Sequence, residues 1–178
     1  MWQRILLSIA CAAAIGRPVC ADLTTPPTFE TYPARNAYRG ARAPLRLQRG
    51  MNAWRYRTAI RDGYGKTEIN FAAHFVAISW GCGAPCQQWA VVDAKTGTVH
   101  LAAFQTAGGA EYRSDSALFI ADPPRCEGTK CEDEGPPALQ ELYRGDFAVY
   151  YRWTGNRFER LYAASQAQRS STPTGRRR

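Results

Sequence analysis

The chain has 178 residues, of which 45% are hydrophobic, and its 23 basic and 15 acidic residues give a formal net charge of +8. This apolar content supplies one hydrophobic core, which excludes a wholly disordered chain, and the length is too short for a complete β-propeller. The apolar run near the N-terminus is shorter than the roughly 20 apolar residues that span a bilayer, and no later segment comes close to that length.

Residues 1–21 have the three parts of a secretory signal. Arg4 supplies the positive start, residues 5–15 form the apolar centre, and Ala21 is the small residue before the cleavage site. We predict cleavage after Ala21 and a periplasmic or secreted bacterial protein. The alternatives are an uncleaved N-terminal anchor and a lipoprotein acylated on a cysteine of this segment.

The positive charge is concentrated outside the central part of the chain. Residues 165–178 end in three consecutive arginines and are otherwise rich in Ser, Gln and Thr, which predicts a disordered basic tail. Such a tail can make weak contact with an anionic surface, although simple solvation is the commoner reason for a charged tail.

Residues 22–43 contain Pro, Thr and Arg without apolar periodicity and are predicted to be an extended or disordered lead-in. Eight arginines lie between residues 35 and 61, with no acidic residue between Glu30 and Asp62. Nucleic-acid binding would need interleaved aromatics within a recognisable module, and the predicted export argues against it, so we expect no nucleic-acid partner.

Residues 44–164 are predicted to form a single β-rich domain. Asn52 is expected to cap a short helix that runs to about residue 61, and the glycines of residues 62–65 are expected to end it. An alternating pattern then predicts strands, with a hairpin turn at residues 93–97. The predicted strands are residues 71–80, 88–92, 98–104, 112–121, 147–153 and 157–162. The fold class is therefore mainly β (α+β): a short N-terminal helix followed by a five- or six-stranded antiparallel meander with disulfide-pinned loops.

Cleavage of the signal would leave four of the six cysteines. In an oxidising compartment an even number favours disulfides, and four cysteines allow three connectivities. We favour the two local pairings because each closes only a tight loop. The predicted bridges are Cys82–Cys86 and Cys126–Cys131.

His74 is the candidate catalytic residue. An imidazole beside a free cysteine would stabilise the thiolate form of that cysteine, which is the nucleophile. Oxidation of the cysteines removes that chemistry. Alternation along the predicted strand instead places His74 on the face of Val76 and Ile78, so a buried structural histidine is preferred. The other histidine, His100, has no acidic or hydroxyl partner nearby in sequence.

No metal and no cofactor are expected. The two cysteine pairs have C-x3-C and C-x4-C spacings, unlike the C-x2-C pairs of zinc ribbons. The acidic residues 132–134 lack the alternating spacing of a calcium-binding loop, and a solvated loop pinned by Cys126–Cys131 is the preferred interpretation.

Three segments together resemble a group of small exported bacterial proteins of unknown function. They are residues 70–75 (NFAAHF), residues 80–86 (WGCGAPC) and the hairpin at residues 91–99. The group has an NFAGHY segment leading into WGCGxxC and a similar hairpin, and this chain departs from it at Ala73 and Phe75. The resemblance implies export and a β fold and carries no assigned activity.

The pattern favours a non-enzymatic binding protein, an inhibitor or immunity-type partner of another envelope protein. The loop at Cys82–Cys86 is preorganised, which lowers the entropy lost on binding, although a stapled strand-to-strand turn is the plainer interpretation. The partner-contact candidates beside it are Trp80, Gln87, Gln88 and Trp89. The alternatives are an envelope enzyme that uses His74 and a structural envelope component.

Overall fold

The computed structural model describes residues 26–124, 126–127, 130–131 and 147–163. The predicted signal at residues 1–21 and the predicted tail at residues 165–178 lie outside these ranges. The predicted domain boundaries at those ends therefore stay predictions. No helix of the described part is long and apolar enough to cross a bilayer.

The described residues form one α-helix, two short 3₁₀ helices and nine strands. The helices are the 3₁₀ turns Phe29–Thr31 and Asn52–Tyr56 and α1, Arg57–Lys66. The strands are β1 Phe75–Gly83, β2 Cys86–Asp93, β3 Val99–Thr106, β4 Ala110–Tyr112, β5 Leu118–Ala121, β6 Cys126–Glu127, β7 Lys130–Cys131, β8 Val149–Trp153 and β9 Phe158–Ala163.

All the strand pairs are antiparallel, and each sheet follows chain order. The first sheet has the order β1-β2-β3, and the second has the order β4-β5-β8-β9 with the small β6–β7 hairpin inserted between β5 and β8. The predicted mainly β fold with one short helix is confirmed.

The core has three layers because the first sheet is covered on both faces. Phe75, Ala77 and Val91 face the second sheet and pack against its Phe119 and Trp153. The alternate residues of β1 and β2 face α1; this cluster includes Ile60, Tyr64, Val76, Ile78, Ala90 and Val92. Burial on both faces explains why β1 begins with a continuous apolar run rather than a strict alternation.

Helix α1 differs from its prediction at both ends. The position before the first helical turn is Met51, without a side-chain cap, so Asn52 does not act as the N-cap. The helix continues through residues 62–65 to Lys66. Arg42 satisfies its C-terminal carbonyls, because the guanidinium donates to Thr67 O at 2.9 Å and also to Tyr64 O.

Residues 33–46, here called the strap, cross both sheets in an extended conformation. Pro33 pairs with Ser116 in an isolated bridge. The backbone N–H groups of Ala34, Tyr38, Ala43 and Arg46 then donate to Asp115 O, Ala73 O, Ala94 O and Gly97 O at 2.7–3.0 Å. Much of the predicted lead-in is therefore extended chain bound to the domain.

Two predicted strands are interrupted. The strand expected over residues 71–80 begins only at Phe75, because Ala72 and Ala73 adopt positive φ angles of 42° and 68° in a tight turn. The strand expected over residues 112–121 is the β4–β5 hairpin. In its turn, Arg113 bonds Asp115 through two nitrogens at 2.8 and 2.6 Å.

Candidate functional site

The corner between β1 and β2 is closed by the predicted Cys82–Cys86 bridge, whose Cα atoms lie 5.1 Å apart. This pairing is confirmed. Residues 81–85 are exposed. The other predicted bridge falls on a segment where the backbones of Cys126 and Cys131 are directly paired, and their side chains lie outside the described part.

Two of the four partner candidates beside this corner are interior residues. Trp89 is 4% exposed, and its indole N–H donates to Thr106 Oγ1 at 2.9 Å. Gln88 is 6% exposed and lies at a bulge in the β2–β3 ladder, where its Nε2 donates to Ala102 O at 3.0 Å. Both side chains complete the core, which leaves them little surface for the predicted contact with a partner.

The other two candidates, Trp80 and Gln87, are half-buried. The Trp80 ring lies 5.0 Å from that of Tyr56, so it joins the 3₁₀ helix to the first sheet. Gln87 pairs with Thr106 of β3. The corner therefore offers a partner little aromatic surface.

His74 follows the tight turn instead of lying within a strand, which corrects its predicted position. Its ring lies 4.1 Å from that of Phe75, and its side chain is 24% exposed. The nearest carboxylate is Asp93, with Oδ1 3.8 Å from His74 Nε2, beyond hydrogen-bond distance. Asp93 already accepts bonds from Lys95 N and Thr96 Oγ1 in its own turn.

The pKa of His74 is lowered, first by burial and then by the positive charge of Lys95, while Asp93 opposes the shift. The imidazole is therefore mostly neutral at pH 7. Among the described residues, no carboxylate is in hydrogen-bonding contact with the ring to orient it, which a general base of the His–Asp type requires.

A cleft of about 210 Å³ lies where β3 meets the β8–β9 hairpin. Its walls include His100 and Phe104 from β3 and Tyr151 from β8, and its rim includes Asn156 and Arg157 from the β8–β9 turn. The rings of Phe104 and Tyr151 are stacked 4.2 Å apart with an angle of 8° between their planes. The cleft thus has an aromatic floor and a polar rim.

His100 joins the two walls of this cleft. Its ring packs edge-on against Trp153 at 5.4 Å, and both His100 and Asn156 line the cleft. Burial lowers its pKa, while Asp93 and the Asn156 backbone oppose that shift. At neutral pH the ring is a hydrogen-bonding group without charge, and the cation at the rim is Arg157, paired with Glu159 at 2.7 Å.

A second, wider depression of about 520 Å³ lies beside Asn70, Tyr112 and Arg113. Asn70 clamps the backbone of Ala77, donating to its carbonyl at 3.1 Å and accepting from its N–H at 2.8 Å. Arg113 is held by Glu30 and Asp115. Because these polar groups are engaged within the fold, the narrower aromatic cleft is the stronger candidate site.

Comparison with protein-family models, with curated proteins and with solved structures finds no match to this chain. Within the described ranges, no three His, Cys, Asp or Glu residues lie close enough together to hold a metal ion.

Sequence reasoning did not identify the aromatic cleft. Alternation along β3 places His100, Ala102 and Phe104 on one face, which is a usable signal. The other wall comes from residues about fifty positions later, and the contact between the two sheets that brings them together has no local signature.

Proposed function

We propose that this protein is an exported, non-enzymatic binding protein whose partner is another protein of the cell envelope. The observation that carries the proposal is the aromatic cleft between β3 and the β8–β9 hairpin. Export is supported by the signal pattern of residues 1–21 and is compatible with the Cys82–Cys86 bridge.

The size of the cleft favours a protein partner over a free small molecule. Pockets that enclose a drug-sized ligand measure about 300–1,000 Å³, whereas this cleft measures about 210 Å³. A space of this size takes one large side chain. Aromatic pockets that accept a single anchoring side chain are common at the centres of protein interfaces.

The lining of the cleft favours binding over catalysis. It contains no carboxylate, thiol, serine or threonine among the described residues that form it. Burial raises the pKa of Tyr151, so its hydroxyl stays protonated at neutral pH and can donate to a partner. Tyr151, Asn156 and Arg157 give the rim the hydrogen-bonding capacity that orients an incoming chain.

The position of β3 supports the same conclusion. It is the outer strand of the first sheet, and within the described part it pairs along its length only with β2. An extended peptide could add to such an edge through backbone hydrogen bonds while one of its side chains enters the cleft.

The test is capture of a stoichiometric partner from envelope extract with two matched variants. Ala103 is exposed and lines the cleft, so Ala103→Arg fills it without disturbing the core. Ala84→Arg makes the same change on the exposed Cys82–Cys86 corner. We expect Ala103→Arg to abolish capture and Ala84→Arg to preserve it; the reverse result would return the site to the corner.

An envelope enzyme that uses His74 is the second candidate, favoured by the carboxylate of Asp93 at 3.8 Å. It predicts turnover that disappears in His74→Ala at unchanged melting temperature. The binding proposal predicts that partner capture is unaffected by that substitution.

A further inference from the structure

The segment before and through α1 carries an exposed positive surface. Residues 31–67 contain one acidic residue, Asp62, against eight arginines and one lysine. Five of these arginines, all exposed, lie at the end of the strap, in the turn that follows it, on the 3₁₀ helix Asn52–Tyr56 and on α1. We call them the basic face; they are Arg46, Arg49, Arg55, Arg57 and Arg61.

Within the described residues, the arginines of the basic face form no ion pair with an acidic side chain. The ion pairs of the described residues join Arg113, Arg157 and His74 to carboxylates elsewhere and include none of these five side chains. Their charge is not neutralised within the described fold and is directed to solvent.

Aromatic side chains are interleaved with these arginines. The guanidinium groups of Arg57 and Arg61 lie 5.3 and 5.8 Å from the ring of Trp54, and that of Arg55 lies 5.3 Å from Tyr56. Both rings are half-buried against the first sheet. Met51, at the start of the helical segment, is 38% exposed.

We propose that the basic face binds the surface of an anionic phospholipid bilayer. Guanidinium groups form charge-assisted hydrogen bonds with phosphate, and Trp and Tyr prefer the depth of the headgroups, where a polar and an apolar phase meet. Met51 and the exposed rims of the two rings supply the shallow apolar insertion that interfacial helices use.

The geometry favours a lipid surface over nucleic acid. Base stacking needs free ring faces, whereas the rings of Trp54 and Tyr56 are covered by the chain's own arginines. A guanidinium stacked on a ring keeps its N–H donors at its edge, where a phosphate headgroup can accept them. The basic face lies on the outer side of the first sheet, whereas the aromatic cleft lies where that sheet meets the second.

The experiment is cosedimentation of the chain from Asp22 to Arg178 with vesicles, since an apolar leader would itself bind lipid. Vesicles of equal parts phosphatidylglycerol and phosphatidylethanolamine are compared with vesicles of phosphatidylcholine alone. We expect binding to the anionic vesicles only, and weaker binding at high salt.

Two paired variants locate the binding surface. Arg57→Gln/Arg61→Gln removes two charges from the basic face, and Arg152→Gln/Arg160→Gln removes two exposed charges from β8 and β9. At about 5-fold per arginine, the first pair should weaken binding about 25-fold and the second less than 2-fold. Met51→Ser, at an exposed position, should weaken it several-fold without changing the melting temperature.

Three results would overturn the proposal. They are absence of binding to anionic vesicles, equal losses from the two arginine pairs, and loss only when Arg176, Arg177 and Arg178 of the tail are changed to Gln. Tighter binding to a single-stranded oligonucleotide or an acidic protein than to the vesicles would assign the basic face to that other class of partner.

Discussion

Two hairpin turns of this protein each contain one glycine at positive φ and differ in their surroundings. The β2–β3 turn has Gly97 at φ +75° and the β8–β9 turn has Gly155 at φ +99°. The first is bound by the strap, which hydrogen-bonds Ala94 and Gly97, whereas a Cβ on Gly155 would meet nothing within 4 Å. The same local signal therefore anchors the fold at one turn and shapes the rim of the candidate site at the other.

The largest expected loss of stability comes from adding a methyl group to the glycine of the first turn. In Gly97→Ala the new Cβ would overlap the carbonyl oxygen of Pro44 and would also sit at a positive φ. We expect a loss of about 2–5 kcal/mol in the free energy of unfolding, measured by urea denaturation. Gly155→Ala is the matched control and should cost about 1 kcal/mol. Similar losses at the two turns would mean that the strap does not hold the first one.

A second prediction concerns the contact between the strap and the end of α1. Arg42 donates to two carbonyls at the end of α1 and lies 3.9 Å over the ring of Tyr64. Arg42→Met should lower the free energy of unfolding by about 1.5–3 kcal/mol, and the exposed Arg39→Met should leave it nearly unchanged. If the strap is one unit, Arg42→Met should also reduce the further cost of Gly97→Ala in a double-mutant cycle.

A third turn extends the comparison, because its residue at positive φ is an alanine and those of the other two turns are glycines. Ala73 holds φ +68°, a region that costs an L-residue about 1–2 kcal/mol. Ala73→Gly should therefore stabilise the protein by about 0.5–1 kcal/mol, since part of the gain is offset by the greater freedom of glycine in the unfolded chain. Thermal unfolding would show it, and a lower melting temperature would contradict it.

The smallest expected effect is a change in how folding stability depends on pH. Each of the two hairpin turns lies beside a histidine. His74 is near Asp93 of the first turn, and His100 lines the same cleft as Asn156 of the second turn. Burial lowers the pKa of both histidines. Above the unfolded value of about 6.5 each ring is neutral in both states. As the pH falls below about 6.5, the unfolded chain takes up protons before the folded protein does. Stability therefore falls with pH until the pH reaches the lowered pKa of each folded histidine.

Stability should therefore decline between about pH 7 and pH 5, before the carboxylates titrate. His100→Gln should flatten that decline in urea titrations at several pH values. An unchanged slope in both His100→Gln and His74→Gln would show that neither ring is responsible.

Much of the fold could be predicted because its determinants are local. The alternating segments predicted the fold class. The glycine that ends residues 93–97 predicted one hairpin, and the close spacing of Cys82 and Cys86 predicted one disulfide bridge. The tight turn at Ala72 and Ala73 could not be predicted, since alanine avoids positive φ. Hydrogen bonds to distant segments, the β4–β5 turn and the strap, hold it there.

The candidate site was less accessible to sequence reasoning. The alternating pattern predicts that Gln88 is a surface residue of its strand. The bulge in the β2–β3 ladder instead turns its amide inward, where it donates to backbone carbonyls of β3. The cleft depends on β3 and the β8–β9 hairpin meeting from different sheets. No pattern within either segment reports that contact.

The 3₁₀ turn Phe29–Thr31, just before the strap, also bears on the order in which the chain acquires structure. The hydroxyl of Ser116 lies 2.9 Å from the carbonyl oxygens of Phe29 and Tyr32, 87 and 84 residues earlier. These contacts can form only once the segment before β5 has taken its place in the fold. Closing such long loops slows folding. The beginning of the domain is thus among the last parts to be protected from proteases.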